Sequence, residues 1–243
     1  MSEGALAVTV LGADGSYPAP GGACSGYLVT CAGTRVWLDA GSGTMANLQR
    51  HVALTDVDAV VLSHGHPDHW SDLEGFYVAC RWFLGRQGVP VYAPAGLRAL
   101  TVGVADDGTF DWHEVDEGDQ PAVGSLHLSL SRTDHPVRTL AVRLDGAGRS
   151  LVYSADTGPA WSLAALGQAD LALVEATFLA DREGTMQHLS ARQAGAMAAS
   201  AGAGRLVVTH IAPGVDRAAA EDEAAAAFGA PVSAAAPGAK YQA

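Results

Sequence analysis

The sequence predicts an α/β (α+β) fold in which two mixed β-sheets pack face to face, with helices flanking both outer sides. Two observations support this. Short strand patterns dominate residues 6–38 and 109–154, and helix and strand patterns alternate from residue 160 onward. Because each helix and each sheet must bury an apolar face against another layer, this order favours a four-layer sandwich. The chain shows no internal repeat and no linker, so we expect one domain over residues 1–243.

The first half of the chain alternates apolar runs with Gly- and Pro-rich turns, the longest turn being residues 12–22. Ser71 and Glu74 have the spacing of a capping box, in which two side chains satisfy N–H groups at a helix start. The predicted strands are residues 6–11, 26–30, 34–38, 59–62 and 89–92, and the predicted helices are residues 42–50, 71–84 and a short one within 94–104.

The second half begins with alternating apolar and polar residues, which predict half-buried strands. Asp145, Gly146 and Gly148 have the composition of a hairpin turn between two of these strands. The predicted strands are residues 123–130, 137–144, 150–153, 170–174, 205–209 and 231–233, and the predicted helices are residues 160–167, 190–201 and 217–227.

Composition and charge exclude several classes of protein. The net charge of −12 argues against broad nucleic-acid binding, which requires a basic surface to displace counterions. No run approaches the roughly 20 apolar residues of a membrane helix, and Met1-Ser-Glu-Gly does not resemble a secretory signal. The three cysteines, Cys24, Cys31 and Cys80, form no CxxC pair, which fits unpaired thiols in a reducing compartment. We therefore expect a cytoplasmic protein with no membrane partner, and we expect Cys80 in the core.

The most informative segment is His64-x-His66-x-Asp68-His69, directly after an apolar strand pattern. On extended backbone, alternate side chains point the same way, so His64 and His66 can bind one ion together. Asp68 and His69 follow as the chain turns and can serve a second ion. Imidazole and carboxylate groups suit zinc or a similar divalent metal, which activates water near neutral pH. Packing alone does not account for three histidines and an aspartate at this spacing, so the segment predicts a metal-dependent hydrolase.

Three further polar residues stand at the exits of predicted strands: His135, Asp156 and His210. Ligands clustered at strand ends give a site built on rigid elements. The remaining histidines at positions 51, 113 and 127 have no such context, and His127 lies on the polar side of an alternating strand. We therefore expect only the first three to complete the metal site.

Taken in order, these motifs resemble those of the metallo-β-lactamase superfamily, over a span from Leu11 to Pro213. The resemblance implies the αβ/βα sandwich and a dinuclear site with a metal-bridging hydroxide as nucleophile. It assigns His64, His66 and His135 to the first ion, Asp68, His69 and His210 to the second, and Asp156 to both. Asp39 matches a family segment beneath the site, which implies that it orients a ligand histidine. Two zinc ions are the expected cofactors, while manganese and iron tolerate the same ligands.

Within the superfamily, the chain resembles the branch of ribonuclease Z and the cyclic-nucleotide phosphodiesterases. Glu175-Ala-Thr and the later His188-x-Ser190 match that branch, although Val174 stands where its members carry a histidine. The segments 11–28 and 63–76 resemble its compact phosphodiesterases. The bridging position is Asp156, whereas the best-known zinc β-lactamases have a cysteine there. We take His188, Glu175 and the ligand Asp68 as candidate catalytic residues, since a histidine held by a carboxylate can protonate a departing alkoxide.

The leading hypothesis is therefore a phosphodiesterase acting on a small anionic substrate such as a cyclic nucleotide. Only twenty residues separate His135 from Asp156, where the tRNA-processing members carry a long arm, so tRNA 3′ cleavage is the weaker alternative. An ester, thioester or lactone hydrolase and a non-catalytic metal-binding protein are further alternatives. The resemblance also implies a homodimer, for which the aromatic segment from Phe76 to Phe83 is a candidate contact surface.

Overall fold

The computed structural model describes residues 4–243. Residues 1–3, which belong to the segment considered above as a secretory signal, lie outside the described residues. Two seven-stranded sheets form the centre of the molecule. The strands of the first sheet lie in the order β14-β1-β2-β3-β4-β5-β6, and those of the second in the order β13-β12-β11-β10-β9-β8-β7. Their bounds are β1 Ala7–Gly12, β2 Gly26–Cys31, β3 Thr34–Ala40, β4 Ala59–Val61, β5 Val89–Pro94, β6 Phe110–Val115, β7 Ala122–Val123, β8 Leu126–Arg132, β9 Leu140–Gly146, β10 Arg149–Tyr153, β11 Leu171–Glu175, β12 Leu206–Thr209, β13 Ser233–Ala234 and β14 Lys240–Gln242.

Each sheet is half antiparallel and half parallel. In the first sheet, β14, β1, β2 and β3 pair antiparallel, and the pairs from β3 to β6 are parallel. In the second sheet, β7 to β10 pair antiparallel, and the pairs from β10 to β13 are parallel. The carboxyl ends of parallel strands meet at one edge, so each sheet brings several strand exits to a common border.

Four helices cover the outer faces: α1 Thr44–Leu48, α2 Asp72–Val78, α3 Ala191–Ser200 and α4 Arg217–Phe228. A π-helical segment, Ala79–Leu84, continues α2, and single 3-10 turns occupy Leu54–Asp56, Pro67–His69, Leu97–Leu100, Leu163–Leu166 and Ala180–Arg182. The helices α3 and α4 pack so closely that a Cβ at Gly195 would lie 2.3 Å from the carbonyl oxygen of Ala224.

Strand alternation divides the apolar residues into three cores. In β2, Tyr27 and Val29 face the second sheet, whereas Leu28 faces α1 and α2. In β10, Tyr153 faces the first sheet and Val152 faces α3 and α4. One core therefore lies between the sheets and one beneath each helical pair. The predicted four-layer sandwich of two mixed sheets flanked by helices is confirmed.

Several predicted elements differ from the structure. The helix predicted over 160–167 is a single 3-10 turn, as is the one within 94–104, and the strand β14 was not predicted. The capping box predicted at Ser71 does not form, because Ser71 already has helical backbone angles and its hydroxyl donates to the carbonyl of Pro67. The carboxylate of Glu74 instead accepts from the N–H of Gly103 at 2.9 Å. A capping box does form at Ser190 and Gln193.

None of the helices in the described residues is long and apolar enough to cross a membrane. All three cysteines are buried and unpaired, and Cys80 lies in the core beneath α2, as predicted.

Burial should make these thiols inert in the folded protein. Burial raises the pKa of the Cys24 thiol to about 12, with the carboxylate of Asp68 adding to the effect, and raises that of Cys80 to about 11. Because the thiolate is the reactive form, we expect no fast reaction with a disulfide reagent in native buffer and three thiols per chain in guanidinium. A thiol that reacts within seconds in the native protein would contradict this burial.

Gly41 lies where the chain after β3 passes against the backbone of Asp68. A Cβ there would lie 2.0 Å from the carbonyl oxygen of Asp68 and 2.7 Å from that of Ser25. Neither backbone can yield cheaply, so Gly41→Ala should destabilise the fold by at least about 1–3 kcal/mol in denaturant unfolding. Gly75→Ala is the matched control. Gly75 is exposed within α2 and meets only the flexible Met45 sulfur, so this change should be neutral or slightly stabilising.

Candidate metal centre

All seven predicted metal ligands lie at one border of the sandwich, each following a strand exit. The segment after β4 supplies His64, His66, Asp68 and His69, and the exits of β8, β10 and β12 supply His135, Asp156 and His210. Five of the seven are buried, while His66 and Asp68 are half-buried and face the opening of the site. The four loops thus bring together side chains that are up to 146 positions apart in the sequence.

The first group consists of His64, His66, His135 and Asp156. The Nδ1 atom of His66 lies 3.2 Å from Nε2 of His64 and 3.2 Å from Nε2 of His135. The Oδ2 atom of Asp156 is 3.5 Å from Nε2 of His64 and 3.9 Å from Nε2 of His135. Metal–ligand bonds of about 2.0–2.1 Å place the corners of a tetrahedron roughly 3.3 Å apart, so these atoms have the spacing that one zinc ion requires.

The second group consists of Asp68, His69 and His210. The Oδ2 atom of Asp68 lies 3.2 Å from Nε2 of His210 and 3.5 Å from Nε2 of His69. The Oδ1 atom of Asp156 approaches the same two rings, at 3.2 Å from His69 and 3.4 Å from His210. Asp156 therefore directs one carboxylate oxygen to each group, which is the placement expected of a bridging ligand.

Two buried atoms in the site have no hydrogen-bond partner: Nε2 of His69 and Oδ1 of Asp156. They are 3.2 Å apart, but their geometry does not make a hydrogen bond. Buried polar atoms without a partner are costly, and both of these face the centre of the second group. A divalent cation fits between them, so the residues present suit the metal that the sequence predicted.

Asp39 lies beneath both groups and is fully buried. Its Oδ1 accepts from the N–H of Ser63 at 2.7 Å, and its Oδ2 accepts from the hydroxyls of Ser63 and Tyr153, both at 2.8 Å. Oδ2 also lies 2.7 Å from Nδ1 of His69, so that nitrogen donates and Nε2 faces the second group. The contact with Nδ1 of His69 is the one that the predicted orienting role of Asp39 requires.

A second buried carboxylate, Glu175, lies on the opposite side of the site. Its Oε1 accepts from the N–H of Thr157 at 2.7 Å, and its Oε2 accepts from the hydroxyl of Thr177 at 2.7 Å and the N–H of Leu189 at 3.2 Å. Oε1 also lies 2.9 Å from Nδ1 of His188. Because the Glu175 carboxylate accepts from all these donors, it also accepts from the Nδ1–H of His188. The Nε2 atom of His188 is then left for contacts on the other side of the ring.

His188 stands next to both groups. Its ring stacks on His210 with centroids 5.4 Å apart, and its edge meets His135 with centroids 5.2 Å apart. His188, Asp156 and His210 each place one nitrogen or oxygen within 4.8 Å of the others, so His188 borders the ligand groups. The predicted pairing of Glu175 with His188 is present in the structure.

The electrostatics of the site keep its carboxylates ionised. Burial alone would raise the pKa of Asp156, but the adjacent His210, His69 and His64 rings lower it well below its usual value. The pKa of Asp68 is lowered in the same way, with the adjacent His210 and His69 rings overcoming burial. Burial lowers the pKa of His64, which keeps its lone pair available. An acidic cage of this kind is a favourable environment for a cation, which would replace protons on the ligand rings.

The pKa values of three further histidines rise despite burial. Burial would lower the pKa of His210, but the charge of Asp156 and the hydrogen bond with Asp68 raise it. Burial would lower the pKa of His188, but its hydrogen bond with Glu175 and the charge of that carboxylate raise it to about 9. Burial is likewise the largest effect on His69, and the carboxylates of Asp156 and Asp39 overcome it to raise the pKa well above the usual value.

The backbone is strained at the site. Asp39, Ala155 and His210 have φ values of 54°, 51° and 52°, in the left-handed region that non-glycine residues seldom adopt. Ser16 also has a positive φ, and its N–H donates to Oδ2 of Asp68 at 2.9 Å. Such conformations persist only where surrounding contacts enforce them, and they concentrate at functional sites.

Four residues of this site were not predicted from the sequence: Ser16, Ser63, Tyr153 and Thr177. Ser63 directly precedes His64, and Thr177 stands two positions after Glu175, so motif proximity was the available signal for both. Tyr153 reaches Asp39 across 114 positions, and no local pattern indicates that contact.

The other histidines and the exposed aromatic residues lie outside the cluster of ligands. His51 and His127 are exposed and His113 is half-buried beside Asp111, so all three lie away from the centre. In the aromatic segment, Phe76 is core, whereas the side chains of Trp82 and Phe83 are 67% and 80% exposed. The pairing of two chains through this segment stays a prediction.

A cavity of about 300 Å³ is lined by residues near His210 in the sequence and by Thr177, but by none of the seven predicted ligands. Its wall includes Thr177, which contacts His210, and the cation of Arg182. The other lining residues are apolar or small: Phe178, Met186, Ala212, Pro213, Gly214 and Val215.

Comparisons with known proteins agree with this geometry. Residues 34–211 match the family model described as beta-lactamase superfamily domain. The probable metallo-hydrolase YhfI of Bacillus subtilis (strain 168) is 33% identical over 217 residues, covering 85% of this chain and 87% of the relative. The uncharacterized protein Rv1339 of Mycobacterium tuberculosis is 35% identical, covering 93% and 88%. Ribonuclease Z of Mycobacterium avium (strain 104) is 30% identical, covering 86% of each chain.

Solved structures give the same result for the fold. The crystal structure of YhfI from Bacillus subtilis superposes with a TM-score of 0.91 at 27% identity, covering 99% of this chain and 100% of YhfI. Human tRNase Z, short form, has a TM-score of 0.77 at 21% identity, covering 97% and 98%. Unliganded yeast PDE1 has a TM-score of 0.75 at 12% identity, covering 99% and 100%, and at such identities the likeness concerns the fold alone. The family model, the relatives and the fold therefore agree with the clustered histidines and aspartates. The relatives include a probable metallo-hydrolase and ribonuclease Z. The chain belongs to the metallo-β-lactamase superfamily, a family of metal-dependent hydrolases.

Proposed function

We propose that the protein is a dinuclear metal-dependent phosphodiesterase that acts on a small anionic substrate such as a cyclic nucleotide. The observation that carries the proposal is the Glu175–His188 pair. The Nδ1 atom of His188 lies 2.9 Å from the buried carboxylate, and its ring stands against His135 and His210, one member of each ligand group. A proton donor at this place is what a departing alkoxide requires.

Two divalent ions would occupy the two ligand groups. His64, His66 and His135 would hold the first ion, Asp68, His69 and His210 the second, and Asp156 would bind both. Zinc suits this mixture of imidazole and carboxylate ligands, and manganese or iron tolerates it. When bound, such ions act as Lewis acids on a phosphate oxygen and lower the pKa of water towards neutrality.

The chain's own residues supply the rest of the chemistry. Glu175 holds the His188 ring through Nδ1, so Nε2 can deliver a proton to the leaving oxygen. Asp68 is half-buried at the opening, and its Oδ2 is held by the N–H of Ser16 at 2.9 Å. It would fix the second ion while remaining close to the incoming substrate. Asp39 and Glu175 take no part in bond making and keep the histidine rings oriented.

The structure of the interval between His135 and Asp156 supports a small substrate. That interval holds only the β9–β10 hairpin, whose strands are Leu140–Gly146 and Arg149–Tyr153, and no arm extends from it. The net charge of −12 also weakens binding of a long polyanion. The cavity of about 300 Å³, with Arg182 on its wall, can take a nucleoside or aryl group.

Cleavage of RNA is the second candidate, favoured by the 30% identity with ribonuclease Z of Mycobacterium avium over 86% of each chain. The same metal and His188 geometry would serve it, because the bond to be broken is again a phosphodiester. Hydrolysis of an ester, thioester or lactone remains the alternative in which His188 is incidental.

A substrate panel tests the proposed function. The purified protein, supplied with Zn²⁺ or Mn²⁺, should hydrolyse bis-aryl phosphates and cyclic AMP and should lose this activity in excess chelator. Precursor tRNA, a thioester and a lactone should be turned over at least about 100-fold less efficiently, as judged by kcat/KM. Preferential cleavage of precursor tRNA would establish the ribonuclease, and preferential turnover of the thioester or lactone would remove the phosphodiesterase.

The role of His188 is tested by His188→Ala. Loss of a positioned proton donor should lower kcat by about 10²–10⁴-fold with a poor leaving group, while bound metal per chain stays unchanged. The effect should shrink for a nitrophenolate leaving group, which needs no proton. His127→Ala is the matched control, because His127 is an exposed strand residue remote from the site, and it should retain full activity. Undiminished kcat in His188→Ala with a poor leaving group would remove the assigned role.

A further inference from the structure

We propose that two buried hydroxyls, those of Ser63 and Thr177, each position one metal-ligand histidine, and that they do so for different ions. Ser63 links His64 to Asp39, and Thr177 links His210 to Glu175. The two metal positions can therefore be weakened separately. The inference rests on the two-ion arrangement proposed above.

The hydroxyl of Ser63 has its proton committed to Asp39. The side chain is fully buried, and its Oγ donates to Oδ2 of Asp39 at 2.8 Å while its own N–H donates to Oδ1 at 2.7 Å. The same Oγ lies 3.0 Å from Nδ1 of His64. Since a serine hydroxyl has one proton, Oγ can only accept from that ring. His64 must then carry its hydrogen on Nδ1 and direct the Nε2 lone pair at the first group.

Thr177 repeats this arrangement on the other side of the site. Its Oγ1 donates to Oε2 of Glu175 at 2.7 Å and lies 2.9 Å from Nδ1 of His210. The proton is again committed to a carboxylate, so Oγ1 accepts from the ring. His210 therefore carries a hydrogen on Nδ1, which leaves Nε2, 3.2 Å from Oδ2 of Asp68, as the nitrogen that would bind the ion.

Each carboxylate thus holds two rings, one directly and one through a hydroxyl. Asp39 holds His69 directly and His64 through Ser63, so it acts on both ions at once. Glu175 holds His188 directly and His210 through Thr177. Removing either carboxylate would disturb several functions together, whereas removing a hydroxyl leaves the carboxylate with its other donors and disturbs a single ligand.

The matched pair Ser63→Ala and Thr177→Val tests this proposal. Partners behind a ligand histidine typically contribute 10–100-fold in metal affinity. Ser63→Ala should lower zinc affinity by about that factor at the first position, formed by His64, His66 and His135. Thr177→Val should lower it by a similar factor at the second position, formed by Asp68, His69 and His210. The measurements are chelator competition for the two dissociation constants and zinc-edge anomalous scattering from crystals grown at limiting zinc, which gives the occupancy of each position.

Three controls separate this result from a general loss of structure. Thr177→Ser keeps the hydroxyl and should restore wild-type zinc affinity. Ser150→Ala removes a buried hydroxyl bonded to Asp170 at the far end of β10 and should change neither position. In excess chelator, Ser63→Ala and Thr177→Val should remain folded by circular dichroism and lose only the stability of one hydrogen bond to a buried carboxylate, so unfolding would not account for a change in the zinc occupancies.

The outcomes distinguish this inference from the proposed function. Because Asp156 serves both positions, each variant is also expected to lose some zinc from the position that it does not target. The decisive quantity is the ratio of the two occupancies. Ratios that move in opposite directions in the two variants support the inference. If both variants lose the two zincs equally, or lose neither, the positioning by hydroxyls is overturned. A wild-type protein that binds a single zinc would instead overturn the two-ion site itself.

Discussion

The site depends on one buried carboxylate, that of Asp39. A carboxylate in the interior is tolerated only when donors surround it, and this one accepts from Ser63 twice, from His69 and from Tyr153. Asp39 belongs to the first sheet and Tyr153 to the second, so the need to satisfy one charge fixes how the sheet edges meet. The backbone hydrogen bond from Leu140 to the carbonyl of Ser63, at 3.0 Å, joins the sheets at the same place. The relative position of the ligand loops is therefore set beneath the site, by groups that do not touch the ions.

Glu175 imposes the same constraint from the other side, and the cost of both networks appears in the backbone. Asp39 and His210 both adopt left-handed φ values. Each such residue costs on the order of 1–3 kcal/mol, which the surrounding hydrogen bonds must offset. The arrangement keeps the imidazole lone pairs aimed at common points, so little reorganisation is needed when a cation binds. The apolar cores stabilise the sheets, and the polar networks at their border determine the geometry of the site.

The sequence was sufficient to predict the layers and the side chains that cluster at their border, because both follow from local patterns. The spacing of His64 to His69, and the position of each other ligand after an apolar strand, can be read without tertiary information. The helix predicted over 160–167 failed for a local reason: Ser162 caps a single turn that ends at Gly167, whose φ is 75°. The capping box at Ser71 failed because the 3-10 turn Pro67–His69 leads almost directly into α2, so Ser71 is already helical. The hydroxyl contacts of Tyr153 could not be predicted, since they join strands of different sheets.

Val174 stands where members of the ribonuclease Z branch carry a histidine, and its place in β11 shows what that difference affects. In β11, Leu173 faces the core between the sheets, whereas Val174 packs into the core beneath α3 and α4, beside Val152 and Ala176. Glu175 follows on the inner side and reaches His188 at 2.9 Å. A histidine at position 174 would therefore meet the helical layer, behind the carboxylate and away from the ligand groups. Valine at this position therefore belongs to the packing behind Glu175, and the Glu175–His188 pair forms without a histidine there.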